Sequence, residues 1–194
     1  MFYFDFCPNR QSYRLKGYDY SKNGLYFVTI CTKYGRDFFG EVKNGIMGLS
    51  DIGCVAAKFW QEIPNHFSFV RLDEWIAMPN HFHGVLEINN PNPVGTRDLA
   101  SVQRKFGALQ RNSLSLIIQS FKAAVKRWCN KNGYEDFLWH VKFHDHVIRD
   151  KESLNRVRKY IQDNPVQWEL DVENLKNQFD ANKIKNHYDR LFDK

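Results

Sequence analysis

Apolar and polar positions along the chain alternate between two periods, and the changes of period mark out its elements. Leu25-Tyr26-Phe27-Val28-Thr29-Ile30-Cys31-Thr32 is β-branched and aromatic, follows the turn residues Lys22-Asn23-Gly24, and predicts a buried strand. Phe38–Val42 and Ile46–Leu49 flank Lys43-Asn44-Gly45 as the arms of a hairpin. Ile52, Val55, Ala56, Phe59 and Ile63 recur at helical spacing behind Ser50, a suitable cap, so a helix is predicted from Asp51 to Ile63, ended by Pro64. A second strand region runs from Val70 to Ile88 and is broken at Met78-Pro79-Asn80. The polar stretch Asn89–Asn112 reads as a long loop of the kind that is usually functional. Leu114, Ile117, Ile118, Phe121, Val125 and Trp128 form one stripe of a helix over Ser113–Asn130. Phe137–Ile148 predicts a last strand, and Lys151–Asp163 a last helix capped by Asp150. The charged tail from Val166 onward carries no clear pattern. Strands mixed with helices in this order predict an α+β fold, a ferredoxin-like sandwich with helices packed on a central antiparallel sheet.

Composition narrows the class. With 43% hydrophobic residues the 194-residue chain can bury a core, and its length suits a single domain over residues 1–194. No apolar run is long enough for a membrane span, and the start Met1-Phe2-Tyr3-Phe4-Asp5-Phe6 does not resemble a secretory signal. Cys7, Cys31, Cys54 and Cys129 lack zinc-ribbon spacing, so a cytoplasmic protein with reduced thiols is expected. The net charge of +6 is concentrated: Ala100–Tyr160 holds 13 Lys/Arg against 5 Asp/Glu. Such a stretch suits a polyanion, although solvated helix faces alone produce the same pattern.

Two histidine pairs stand out. In Pro79-Asn80-His81-Phe82-His83-Gly84 the side chains of His81 and His83 fall on one face of a strand, where two imidazoles can hold a divalent metal. Pro79 and Gly84 bracket the pair as if the chain were bent to present it. In His144-Asp145-His146, with His140 upstream, the intervening residue is charged, which suits a sheet edge better than its centre. On the last helix Leu154, Val157 and Ile161 must face the core, and Tyr160 and Asn164 lie one turn apart at the stripe's edge. Arg156, one turn earlier on that flank, is placed to stabilise a phenolate or bind a phosphate. Pro165 ends the helix at Asn164 and lets that amide turn inward.

These residues together resemble the REP-associated tyrosine transposases, a branch of the insertion-sequence 200-like single-tyrosine HUH transposases. The likeness rests on Tyr18-Asp19-Tyr20-Ser21, Met78-Pro79-Asn80-His81-Phe82-His83-Gly84, Gly95-Thr96-Arg97, Ser120-Phe121-Lys122-Ala123-Ala124-Val125, His146-Val147-Ile148-Arg149 and Tyr160-Ile161-Gln162-Asp163-Asn164-Pro165. It covers about residues 10–170, leaving a tail over 171–194. The insertion-sequence 200-type members carry Gln where this chain has Asn164, and the REP-associated branch carries Asn.

The resemblance implies that His81, His83 and Asn164 hold Mg²⁺ or Mn²⁺ and that Tyr160 is the catalytic nucleophile. It implies a single-stranded hairpin DNA substrate and a protein acting as a monomer or homodimer. Arg97, Arg104, Lys105, Lys122, Lys126, Arg127, Arg149 and Arg156 are the expected DNA contacts, with Lys122 and Lys126 turned to solvent. Two other readings remain open from the residues: a metal-dependent phosphodiesterase in which water attacks, and a DNA-binding module that does not cut.

Overall fold

The computed structural model describes residues 18–91, 112–171, 173–174 and 191–192. Among the described residues the elements follow in this order: β1 Gly24–Cys31, β2 Gly40–Lys43, β3 Ile46–Leu49, α1 Asp51–Gln61, α2 Ile63–His66, β4 Val70–Ala77, β5 His81–Ile88, α3 Leu114–Lys131, β6 His144–Ile148 and α4 Lys151–Asp163. Four strands make an antiparallel sheet in the order β4-β5-β1-β6, and β2 and β3 form a separate hairpin. With that hairpin set aside, the order is β-α-β-β-α-β and the sheet order matches the ferredoxin-like sandwich.

Alternation along β1 assigns the two faces. Tyr26, Val28 and Ile30 join Phe82, Leu86 and Trp60 under α1 and α3, whose Ala56, Ile117, Phe121 and Val125 close the larger core. Phe27, Val85 and Ile148 face the opposite side, where Leu154, Val157 and Ile161 of α4 cover them. The sheet is thus sandwiched between α1 and α3 on one face and α4 on the other. Asp150 caps α4 by accepting from Ser153 N at 2.7 Å, and Ser50 caps α1 by accepting from Gly53 N at 3.1 Å. The hairpin turns at Asn44 and Gly45, both with positive φ, as a two-residue loop between twisted strands requires.

Three expectations change. Pro64 does not terminate a helix; α1 stops at Gln61, and Pro64 sits in the first turn of the short α2, where its missing N–H is harmless. The last strand begins at His144, not Phe137, because Phe137 is buried in the larger core while the following residues run irregularly, with an isolated bridge from Trp139 to Thr32 just past the end of β1. Gly84 does not bend the chain: β5 pairs with β1 without interruption from His81 to Ile88. Its role is space, since a Cβ there would lie 2.3 Å from Cζ2 of the buried Trp60 indole. Among the described residues no helix is long and apolar enough to cross a membrane.

Candidate active site

The break at Met78-Pro79-Asn80 is the tight connection from β4 to β5, closed by Met78 N donating to His81 O at 2.8 Å. It starts β5 at His81, so period-two alternation puts His81 and His83 on the α4 face, opposite Cys31 and Thr29 of β1. Both imidazoles are buried and their rings lie 4.4 Å apart. Each is oriented from behind. Asn80 donates Nδ2 to Glu173 O at 2.9 Å and to Gly35 O at 3.3 Å, which leaves its Oδ1 facing His81 Nδ1 at 2.9 Å. An amide oxygen only accepts, so this contact requires a proton on His81 Nδ1. His81 Nε2 is buried with no hydrogen-bond partner among the described residues. For His83, Nδ1 lies 3.0 Å from Thr29 Oγ1 and Nε2 lies 3.1 Å from the Tyr160 hydroxyl.

Helix α4 delivers the remaining groups. Its apolar stripe seats the helix on Phe27 and Val85, which brings half-buried Tyr160 over the histidine row, with ring centroids 5.1 Å from His83 and 6.2 Å from Phe27. Asn164 follows one turn later at the helix C-terminus and is buried. The outer flank is fastened to β4, where a bulge between Leu72 and Trp75 carries Asp73 to the Arg158 guanidinium. The contact is two-pronged, with Nε 2.7 Å from Oδ1. The guanidinium holds the Asp73 carboxyl below the usual carboxylate range, against a smaller opposing push from burial.

The tail contributes a residue that the sequence pattern does not reveal. After Pro165 a 3₁₀ turn over Trp168–Leu170 brings the chain back across the site, with the Trp168 ring 5.9 Å from that of His81. Asp171 then enters beside Asn164 and accepts from its Nδ2 at 2.7 Å, while its Oδ2 lies 3.5 Å from the Tyr160 hydroxyl and its Oδ1 accepts from Glu173 N at 2.6 Å. Asn164 Oδ1 is left buried and without a hydrogen-bond partner among the described residues. His81, His83 and Asp171 each place a ligand atom within 4.8 Å of the others. No spacing rule marks Asp171; the one hint is an acidic residue shortly after the Asn164-Pro165 stop.

The other expected residues lie elsewhere. Lys122 and Lys126 do not turn their ammonium groups to solvent. Lys122 Nζ donates to His140 O at 2.6 Å and Val141 O at 3.2 Å, and Lys126 Nζ donates to Glu135 O at 3.0 Å and Phe137 O at 2.7 Å. The irregular approach to β6 leaves these carbonyls without ladder partners, and the two lysines satisfy them. Burial pushes the Lys122 ammonium down to about 8. Arg127 and Arg149 are exposed. Arg156 donates Nη2 to Ser153 Oγ of its own helix at 2.9 Å and Nε to Leu191 O at 3.5 Å. Arg97, Arg104 and Lys105 lie outside the described residues. His144 and His146 stand on the edge strand β6, on the far side of β1 from the site, opposite Thr29 and Phe27. His146 stacks on Phe192, with centroids 3.6 Å apart.

No protein-family model matches the chain. It is 38% identical over 166 residues to a Haemophilus influenzae protein described as uncharacterized, covering 84% of this chain and 92% of that one. The two belong to one family. The structure of a REP-associated tyrosine transposase bound to a REP hairpin superposes on 82% of this chain and 74% of its own, with a TM-score of 0.56 and 17% identity. The chain has the fold of a tyrosine transposase. The superposition covers most of the chain, and within that shared fold the two imidazoles, the phenol and the amide converge as described.

Proposed function

We propose that the chain is a metal-dependent nickase and strand transferase of single-stranded DNA, a transposase or a host-domesticated relative, acting at REP-like hairpins through a 5′-phosphotyrosine. One observation carries the reading. The Tyr160 hydroxyl lies 3.1 Å from His83, beside His81 Nε2 and Asn164 Oδ1, which are both buried without hydrogen-bond partners among the described residues. Buried polar atoms are rarely left this way, and an imidazole nitrogen with an amide oxygen is a donor set that Mg²⁺ or Mn²⁺ accepts. His81, His83 and Asn164 would hold the ion, and Asp171 adds a carboxylate beside them. When bound, a divalent ion neutralises charge on the non-bridging oxygens of a scissile phosphate.

The chain's own groups supply the rest. Packing on Phe27 and the bond to His83 restrict the phenol of Tyr160 to one orientation, as in-line attack on phosphorus needs. As the Tyr160 oxygen bonds to phosphorus, the bond to the 3′-oxygen breaks and a 3′-hydroxyl leaves. The phenol proton passes to the carboxylate within reach, Asp171 Oδ2 at 3.5 Å, because His83 would be holding the ion. The phosphotyrosine conserves the bond energy, so a second 3′-hydroxyl reverses the step and joins strands without a nucleotide cofactor. The transposase of the same fold is bound to a REP hairpin, which supports hairpin DNA as the substrate here.

The test is incubation with single-stranded hairpin DNA and Mn²⁺, followed by a denaturing gel. A covalent protein–DNA adduct is expected, and it disappears in Tyr160→Phe. Cleavage that survives Tyr160→Phe without an adduct makes water the nucleophile. Binding without cleavage makes the chain a recognition module.

A further inference from the structure

Alternation along β1 turns Phe27, Thr29 and Cys31 toward the α4 face, and each stands across the ladder from a residue of β5: Val85, His83 and His81 in turn. Thr29 is fully buried in the middle of the strand. Valine would fill the same space and suits a strand as well, whereas a buried hydroxyl costs stability unless it is hydrogen-bonded. Among the described residues that hydroxyl has one hydrogen-bond partner, Nδ1 of His83, at 3.0 Å. Opposite His81 the arrangement differs. Cys31 Sγ lies 3.7 Å from Glu173 Oε2, and Asn80 supplies the contact to His81 Nδ1.

Packing fixes the plane of the His83 ring and leaves its direction open. The ring stacks on Phe27, with centroids 5.3 Å apart and planes inclined by 28°, and lies 4.4 Å from the ring of His81. A half-turn about the Cβ–Cγ bond leaves these contacts nearly unchanged, yet it exchanges Nδ1 with Cδ2 and Nε2 with Cε1. Hydrogen bonds tell the two directions apart. The Tyr160 hydroxyl makes one, at 3.1 Å from Nε2, but it is the reacting group and gives no fixed support. Thr29 does. In register with His83, where cross-strand Cβ atoms are about 5 Å apart, its short hydroxyl reaches the ring nitrogen nearer the backbone. A β-branched side chain is stiff at χ1, so the hydroxyl stays where the strand puts it.

We propose that Thr29 is a positioning residue: its hydroxyl accepts the Nδ1 proton of His83, fixes the direction of the ring and leaves Nε2 unprotonated to face Tyr160 and a divalent ion. The inference rests on the metal reading above. It gives both histidines one design, with an oxygen at each Nδ1, from Asn80 for His81 and from Thr29 for His83. A hydroxyl also donates, and the reverse bond would put the His83 proton on Nε2 and close that nitrogen to an ion.

Two measurements on the full chain test this. In the metal-free protein, nitrogen NMR of the imidazoles at about pH 8.5, where histidine is ordinarily neutral, should find the His83 proton on Nδ1. A proton on Nε2 overturns the proposal whatever the metal does. In calorimetric titration with Mn²⁺, Thr29→Val keeps the shape and removes the acceptor, so affinity should fall by about 10- to 100-fold. Thr29→Ser keeps the hydroxyl and should bind within about threefold of the unsubstituted chain. Undiminished Mn²⁺ affinity in Thr29→Val, or a loss in Thr29→Ser as large as that in Thr29→Val, overturns the proposal. Failure of the unsubstituted chain to bind Mn²⁺ overturns the metal reading, and with it the role of Thr29 toward an ion, even where the proton is found on Nδ1.

Discussion

Asn164 donates its amide hydrogen to Asp171 at 2.7 Å, and that bond leaves its carbonyl oxygen buried without a hydrogen-bond partner among the described residues. Removing the carboxylate in Asp171→Ala frees the amide to flip. Mn²⁺ affinity, measured by calorimetric titration, should fall by about 10- to 100-fold, as when other orienting partners of metal ligands are lost. An unchanged titration would show that Asp171 neither binds an ion nor orients Asn164.

The two histidine pairs should separate in the same titration. His81→Ala with His83→Ala removes both buried imidazoles beside Tyr160 and should abolish the Mn²⁺ signal. His144→Ala with His146→Ala alters the edge strand on the far side of β1 and should leave it intact. The opposite pattern would move the metal site to β6.

Gly84→Ala tests the packing behind the site. The added methyl must displace the indole of Trp60, which is fully buried against Phe82 and Phe121. A loss of about 1–3 kcal/mol is expected in urea denaturation, the usual range for overpacked cores. A midpoint equal to that of the unsubstituted chain would mean the indole has room to shift.

Asp73 and Arg158 fix the helix that carries Tyr160, and their contribution depends on pH. The carboxyl is held below its ordinary value, so its stabilisation is fully present above about pH 4 and is lost as pH falls through the lower, folded-state value. Asp73→Asn should therefore be less stable at neutral pH, by no more than about 1 kcal/mol for so solvent-screened a pair. The difference should close in acid-denaturation curves below pH about 4. A gap that persists at the lowest pH would assign the effect to shape and not to charge.

The sequence shows the site where its geometry follows from periodicity. Alternation puts His81 and His83 on one face, and the i, i+4 relation brings Tyr160 and Asn164 together, so both pairs are legible before any fold is known. Asp171 is not, because it arrives through a 3₁₀ turn after a proline and no repeat connects it to Asn164. Lys122 and Lys126 lie off the apolar stripe of α3 as their positions require. Their destination depends on how Glu135–Val141 folds back, which local pattern does not encode. The spacing of Gly84 suggests a bend, and only the position of Trp60 shows that its missing side chain is what matters.

Strand β1 runs between the two histidine-bearing strands, with Thr29 paired to His83 on one side and His144 on the other. The placement of the imidazoles is therefore set by main-chain atoms, which side-chain replacement leaves in position. On the proposed reading, a copy that exchanged one of these imidazoles for a residue of similar size would lose its chemistry and keep its shape. Cutting would then be separable from folding in this architecture, and a lineage could abandon the first while retaining the second.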